Sequence, residues 1–167
     1  GMAAKSINTN LGASATITGR AKNDIYIVEK ADDMNLEFMF AETGGVYLTA
    51  DGAIVDALDT DFTKIAANVV ELTATNGTIG QSGDYLEIDV APSGTISANA
   101  KASIWLDETF GDMNVKHVES ETGDVDLRAA VSIFDALNSP LPEIIGNNIT
   151  LTAELGGLGV SGNDLDI

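Results

Sequence analysis

The chain has no cysteine, so no disulfide framework can hold it together, and cysteine usage does not assign a compartment. Basic residues are scarce: 8 Lys and Arg stand against 26 Asp and Glu, a formal net charge of −18. That balance excludes nucleic acid as a natural partner, because binding a polyanion requires cationic side chains to release its counterions. It excludes an anionic membrane surface for the same reason. Aromatics make up only 5% of the residues, which points to a narrow, regular core. No apolar run approaches the roughly 20 residues that span a bilayer. No signal-peptide pattern opens the chain, and Gly1-Met2 reads as a protease scar or start residue. What the chain does have is 44% hydrophobic residues, mostly Ala, Val, Ile and Leu, too many for a disordered acidic tail.

Those aliphatic residues are written out twice. "ETGGVYLTADGAIVDAL" at 42–58 returns as "ETGDVDLRAAVSIFDAL" at 121–137. At a shift of 79 residues, 21–88 aligns on 100–167 without a gap, with 28 identities in 68 pairs, about 41%. The reading is a lead-in over 1–10, a first unit over 11–89 and a second over 90–167.

Inside each unit the texture is short apolar-x-apolar segments separated by corners. One series starts at Ile25, Val46, Val70 and Leu86, and again at Ile104, Val125, Ile149 and Leu165. A second series includes Ile17, Met34, Ile54 and Ile79, then Ile96, Met113, Ile133 and Leu158. Period-2 alternation sends successive side chains inward and outward, and Gly and Asn between segments supply the positive φ of sharp corners. "FTKIAANVVEL" (62–72) comes nearest to a helical period and sits where a long rung needs a protruding loop; "NSPLPEIIGNN" (138–148) has two prolines and is no regular helix. Coils of about 20 residues with such segments form the rungs of a parallel β-solenoid. The fold class expected is therefore all-β, a single-stranded right-handed β-helix of about eight rungs. The first series would form one inward column. Two tandem β-sandwich modules are the alternative, against which stand the short strands, the few large aromatics and a strand-like "VAPSGTISAN" at 90–99 where a linker would fall.

The strings "SGTISANAKASIWLDE", "GDMNVKHVESETGDVDLRAAVSI" and "NNITLTAELGGLGV" resemble repeat units of the large secreted bacterial exoproteins of the filamentous-haemagglutinin type, over about Leu11 to Ile167. The resemblance implies a right-handed β-helical rod, secretion, a cell-surface location and a spacer that presents binding regions elsewhere. It carries no catalytic signature.

Candidate sites are few. His117, the only histidine, has Phe38 as its counterpart and reads as a surface residue, not a catalyst. A β-helical polysaccharide enzyme would need clustered carboxylates with a base nearby, and only Arg20 and Arg128 are available as arginines. "GGLGVSGND" (156–164) has the look of a calcium-roll corner, but Ser161 stands where the liganding Asp should be, as does Ser82 in "NGTIGQSGD". No catalytic, cofactor or metal residue is assigned, and no cofactor is expected. The outward row would run Tyr26, Tyr47, Glu71, Glu87, Trp105, Asp126, Thr150, Asp166. Tyr26 and Tyr47 read as a stacking pair, and with Trp105 they are the candidate ligand-facing aromatics. The function expected is a structural rod segment of a secreted cell-surface adhesin; alternatives are a module binding host or environmental glycans or another surface receptor, and a polysaccharide-acting enzyme. The exposed edges of a solenoid also predict end-to-end self-association.

Overall fold

The computed structural model describes residues 5–167; Gly1–Ala4, and with them the Gly1-Met2 pair read as a scar or start residue, lie outside the described residues. The described chain is all strand and turn, a parallel β-solenoid of about seven turns. The first unit supplies β1 (Ile7–Thr9), β2 (Thr16–Ala21), β3 (Ile25–Glu29), β4 (Met34–Ala41), β5 (Gly45–Ala50), β6 (Ile54–Asp56) and β7 (Ile65–Ala74). β8 (Leu86–Ala100) crosses into the second unit. There follow β9 (Ile104–Glu108), β10 (Met113–Ser120), β11 (Val125–Ala129), β12 (Ile133–Asp135), β13 (Ile144–Ile145) and β14 (Ile149–Ala153).

Each turn contributes one strand to each of two parallel ladders. The first ladder stacks β1, β3, β5, the C-terminal half of β7, the C-terminal half of β8, β10 and then β12 with β13. The second stacks β2, β4, β6 with the N-terminal half of β7, the N-terminal half of β8, β9, β11 and β14. β7 and β8 run through both ladders, with a register shift in their pairing between Ala67 and Val69 where they turn the corner. Inward residues of both ladders and both units form one aliphatic cluster, Val46 and Val125 included. That continuity excludes two sandwich modules with separate cores.

The expected single column is corrected by the register. Ile25, Val46 and Val70 do stack, but the next residue in line is Ile96, not Leu86. Leu86 lies on the second ladder opposite Leu106, and Ile104, Val125 and Ile149 stack there too. Three ladder steps lead from Ile25 to Ile96, and a further half-turn reaches Ile104, the counterpart of Ile25. The 79-residue repeat is therefore three and a half turns, not four, which is why about seven turns replace the eight expected. Counterpart strands lie on opposite ladders. The 16-residue step from Val70 to Leu86 is a half-turn lengthened by a tight hairpin, closed by an antiparallel bridge between Gln81 and Asp84 and repeated between Val160 and Asn163.

The corners explain what the repeat preserves. Thr43 donates its hydroxyl to the Lys22 carbonyl (2.8 Å), and Thr122 does the same to Lys101 (2.7 Å). Asn68 then donates its amide to the Thr43 carbonyl (2.9 Å), and Asn147 to Thr122 (2.7 Å). These side chains add to the backbone bonds that tie one turn to the next at the corners, so the Thr and Asn recur at the same places in both units. The hairpin glycines recur too: Gly80 and Gly159 have φ of 67° and 65°, and Gly83 and Gly162 both 86°, a region glycine enters without a Cβ clash.

Candidate functional site

Both units extrude a loop, 57–64 in the first and 136–143 in the second, built by the same device. Asp56 accepts from the amides of Leu58 (2.7 Å) and Thr60 (2.9 Å), and Asp135 from Leu137 (2.6 Å) and Ser139 (3.0 Å). Asp59 and Asn138 follow with φ of 48° and 49°, the left-handed region these two residue types tolerate best among non-glycines. The loops then diverge. In the first, Lys64 is buried, and its ammonium donates to the carbonyls of Thr60 (2.7 Å) and Phe62 (2.6 Å) and lies 2.9 Å from Asp56 and 3.5 Å from Glu87. In the second, the same position is Glu143, also buried, which accepts from the Ser139 hydroxyl (3.1 Å) and the Asp166 amide (3.3 Å). One loop is organised around a cation and the other around an anion.

The first loop also walls a cleft of about 540 Å³ on the second ladder. Phe62 and Phe110, 79% and 74% exposed, stand on its rim, with Asp61, Asp107 and Glu154 among the lining. The Thr63 and Thr109 hydroxyls meet across it at 2.9 Å. At its base Glu108 is fully buried, accepting from the Val90 amide (2.9 Å) and, at 3.4 Å, from Phe110. Burial pushes its carboxyl up from 4.5 to about 7, against the pull of those amides. Its counterpart Glu29 is just as buried, yet the Thr9 hydroxyl and the amides of Leu11, Ala31 and Lys30 outweigh burial and hold it below the usual value. Asp107 is raised by burial, opposed by Arg128 and reinforced by Glu154 and Asp61. Beside the cleft, Arg128 lies 3.8 Å over the Tyr85 ring, and Tyr85 donates to Asp126 at 2.6 Å. Burial and that bond push the Tyr85 hydroxyl up to about 12.

The structure separates the aromatics proposed from sequence. Tyr26 and Tyr47 stack, with centroids 4.4 Å apart and planes 7° from parallel. Their row continues on the first ladder through Glu71 and Ser97 to His117, not through Glu87. Trp105 stands on the second ladder, followed by Asp126 and Thr150. The expected single outward row is thus two rows, and the three rings share no surface. Arg20 is stacked on Phe38 at 5.0 Å and lies 5.8 Å from Phe40, and His117 pairs with Glu119 at 3.2 Å. Among the described residues no three His, Cys, Asp or Glu side chains are placed to hold a metal ion.

Sequence reasoning missed Phe62 and Phe110. The signal was their departure from the repeat: the counterpart of Phe62 is Leu141 and that of Phe110 is Ala31. Two exposed rings can receive the apolar face of a ligand while the carboxylates beside them accept hydrogen bonds from its hydroxyls. Set against protein-family models, curated proteins and solved structures, the chain matches none.

Proposed function

We propose that this chain is a rod-forming spacer segment of a secreted, surface-displayed adhesin, without enzymatic turnover, whose recognition regions lie elsewhere in a longer protein. The observation that carries the reading is the single aliphatic core running without interruption through both units. Duplicating such a unit lengthens the rod and leaves its cross-section unchanged, which is what a spacer needs. The net charge of −18 keeps the cored rod soluble and self-repelling. Antibodies against the chain should label intact cells of the source organism, and external protease should erase the signal. Labelling only after permeabilisation refutes the surface location.

A second reading, direct glycan binding, is favoured by the cleft between Phe62 and Phe110. On a glycan array a pure spacer gives no hit above background. A hit lost in the Phe62→Ala/Phe110→Ala double variant would move the function to that cleft.

A further inference from the structure

The cleft walled by the first loop presents acceptors and almost nothing to donate. Asp61, Asp107 and Glu154 line it beside Phe62 and Phe110, and no Lys or Arg is among its lining. Its two threonine hydroxyls are turned on each other at 2.9 Å. Among the described residues no ion pair includes any of the three carboxylates. Arg128, whose charge reaches Asp107, is stacked over Tyr85 instead. Asp107 is half-buried, and Glu154 and Asp61 stand close enough to reinforce the rise of its carboxyl. A carboxylate so placed gains most from an incoming cation. The amides of the same corner are already engaged: Thr109, Ala130 and Glu154 donate to the carbonyls of Ile88, Glu108 and Ala129.

The cleft is also where the two units part. Of its nine lining residues only Glu108 is matched in the other unit, by Glu29. Asp61, Phe62, Asp107, Phe110 and Glu154 have Pro140, Leu141, Val28, Ala31 and Thr75 as counterparts. The Asp cap that shapes the loop is kept in both units, so these differences bring rings and charge to one place without altering the scaffold that carries them.

We propose that this cleft binds a polysaccharide carrying free amino groups, with a hexosamine ammonium among Asp61, Asp107 and Glu154 and the C–H face of a sugar ring on Phe62 or Phe110. It rests on the glycan reading above and gives that reading its ligand class. The ligand must bring donors, because the cleft supplies acceptors; an ammonium brings three, with a charge of the right sign. A sulfated or carboxylated glycan brings the wrong sign to a lining without a basic residue, on a chain of net charge −18. A neutral or N-acetylated sugar leaves the three carboxylates without a counter-charge. An extended basic peptide fits less well: with the corner amides engaged it finds no free strand edge, and its own carbonyls gain no donors. A pyranose sets hydroxyls and amine around an apolar face, which is what rings beside carboxylates complement. The cleft's 540 Å³ lies within the range of small-ligand sites, roughly 300–1,000 Å³.

The probes are the glucosamine trimer of deacetylated chitin, the N-acetylglucosamine trimer and trilysine. Each is titrated calorimetrically at about pH 6, where amines are charged and exposed carboxylates ionised. The glucosamine trimer should bind at least about tenfold more tightly than the N-acetylated one, the scale of one charge-assisted hydrogen bond, and more weakly as salt rises. Trilysine, which carries the charge without the sugar's apolar face, should bind at least about tenfold more weakly than the glucosamine trimer. Asp61→Asn/Glu154→Gln should abolish the preference for the free amine and leave the N-acetylated trimer unaffected. Phe62→Ala/Phe110→Ala should weaken both sugars by about tenfold or more. All four positions are exposed, so the fold is retained. Equal affinity for the two sugars overturns the amino-sugar assignment and leaves the glycan reading standing. Trilysine binding as tightly as the glucosamine trimer, or binding indifferent to both double variants, assigns the effect to net charge and overturns the site. No heat with any probe also overturns the inference, whereas the broader glycan reading falls only if the glycan array is blank as well.

Discussion

At the residue scale the informative groups are polar ones inside an aliphatic rod. Lys64 donates to two carbonyls and pairs with Asp56 at 2.9 Å, with Glu87 farther off at 3.5 Å, so its removal leaves both carboxyls buried without a cation. Lys64→Ala should cost about 3–5 kcal/mol, the usual penalty for breaking a buried pair from one side, and a denaturant titration would measure it. Leu127→Asp places a carboxylate in the sealed column without a partner and should cost several kcal/mol. On the same strand Asp126 faces outward, and sequence alone makes Asp126→Asn nearly neutral. The bond from Tyr85 changes that: the substitution should cost about 1 kcal/mol, still well short of Leu127→Asp, and equal melting shifts would contradict the alternation. Glu108 adds a pH dependence. The fold raises its carboxyl from 4.5 to about 7, so the folded state keeps a proton that the unfolded chain releases. Its contribution is therefore full below about pH 4.5 and is lost as pH rises to about 7. Glu108→Gln should flatten the fall in melting temperature across that window; an unchanged slope would remove Glu108 as its source.

At the element scale, what fixes the fold is how strands change ladder. β8 does so at "APSG", and Gly94 is buried there against the Asn68 carbonyl, with which any Cβ would collide. Gly12, by contrast, has open space where a Cβ would go. Gly94→Ala should therefore cost about 2–3 kcal/mol and Gly12→Ala less than about 0.5 kcal/mol, read from thermal melts. The loops at 57–64 and 136–143 show the same economy from the other side. Their Asp caps and left-handed Asp59 and Asn138 are common, so both protrude alike, and only the substitution of Glu143 for Lys64 makes their interiors chemically opposite.

For the whole molecule, counterpart strands with nearly the same sequence differ in depth along the rod. The C-terminal half of β7 is paired on both sides, by β5 and β8, whereas among the described residues β14 is paired with β11 alone. Opening from the ends costs fewer ladder bonds than opening in the middle. Amides of Val70–Ala74 should exchange with solvent at least about 100-fold more slowly than those of Ile149–Ala153 in dilute, low-salt buffer. Comparable rates would mean that the units, not the ladders, are the cooperative elements.

The sequence by itself determined the repeat, the period-2 alternation, the corners and the class of fold, because each is a local property: an apolar-x-apolar segment faces its alternate residues inward whatever lies above it. It also made Tyr26 and Tyr47 neighbours, since 21 residues is one turn. It did not determine which ladder a strand joins. Alternation is identical on both ladders, so Leu86 looks like the successor of Val70 until the hairpin at Gln81–Asp84 is seen to fill a half-turn. That half-turn decided the rest: it put Trp105 on a different ladder from the tyrosines and brought Phe62 and Phe110 from 48 residues apart onto one cleft. Distances around a coil depend on the length of every corner summed together, and only the folded chain performs that sum.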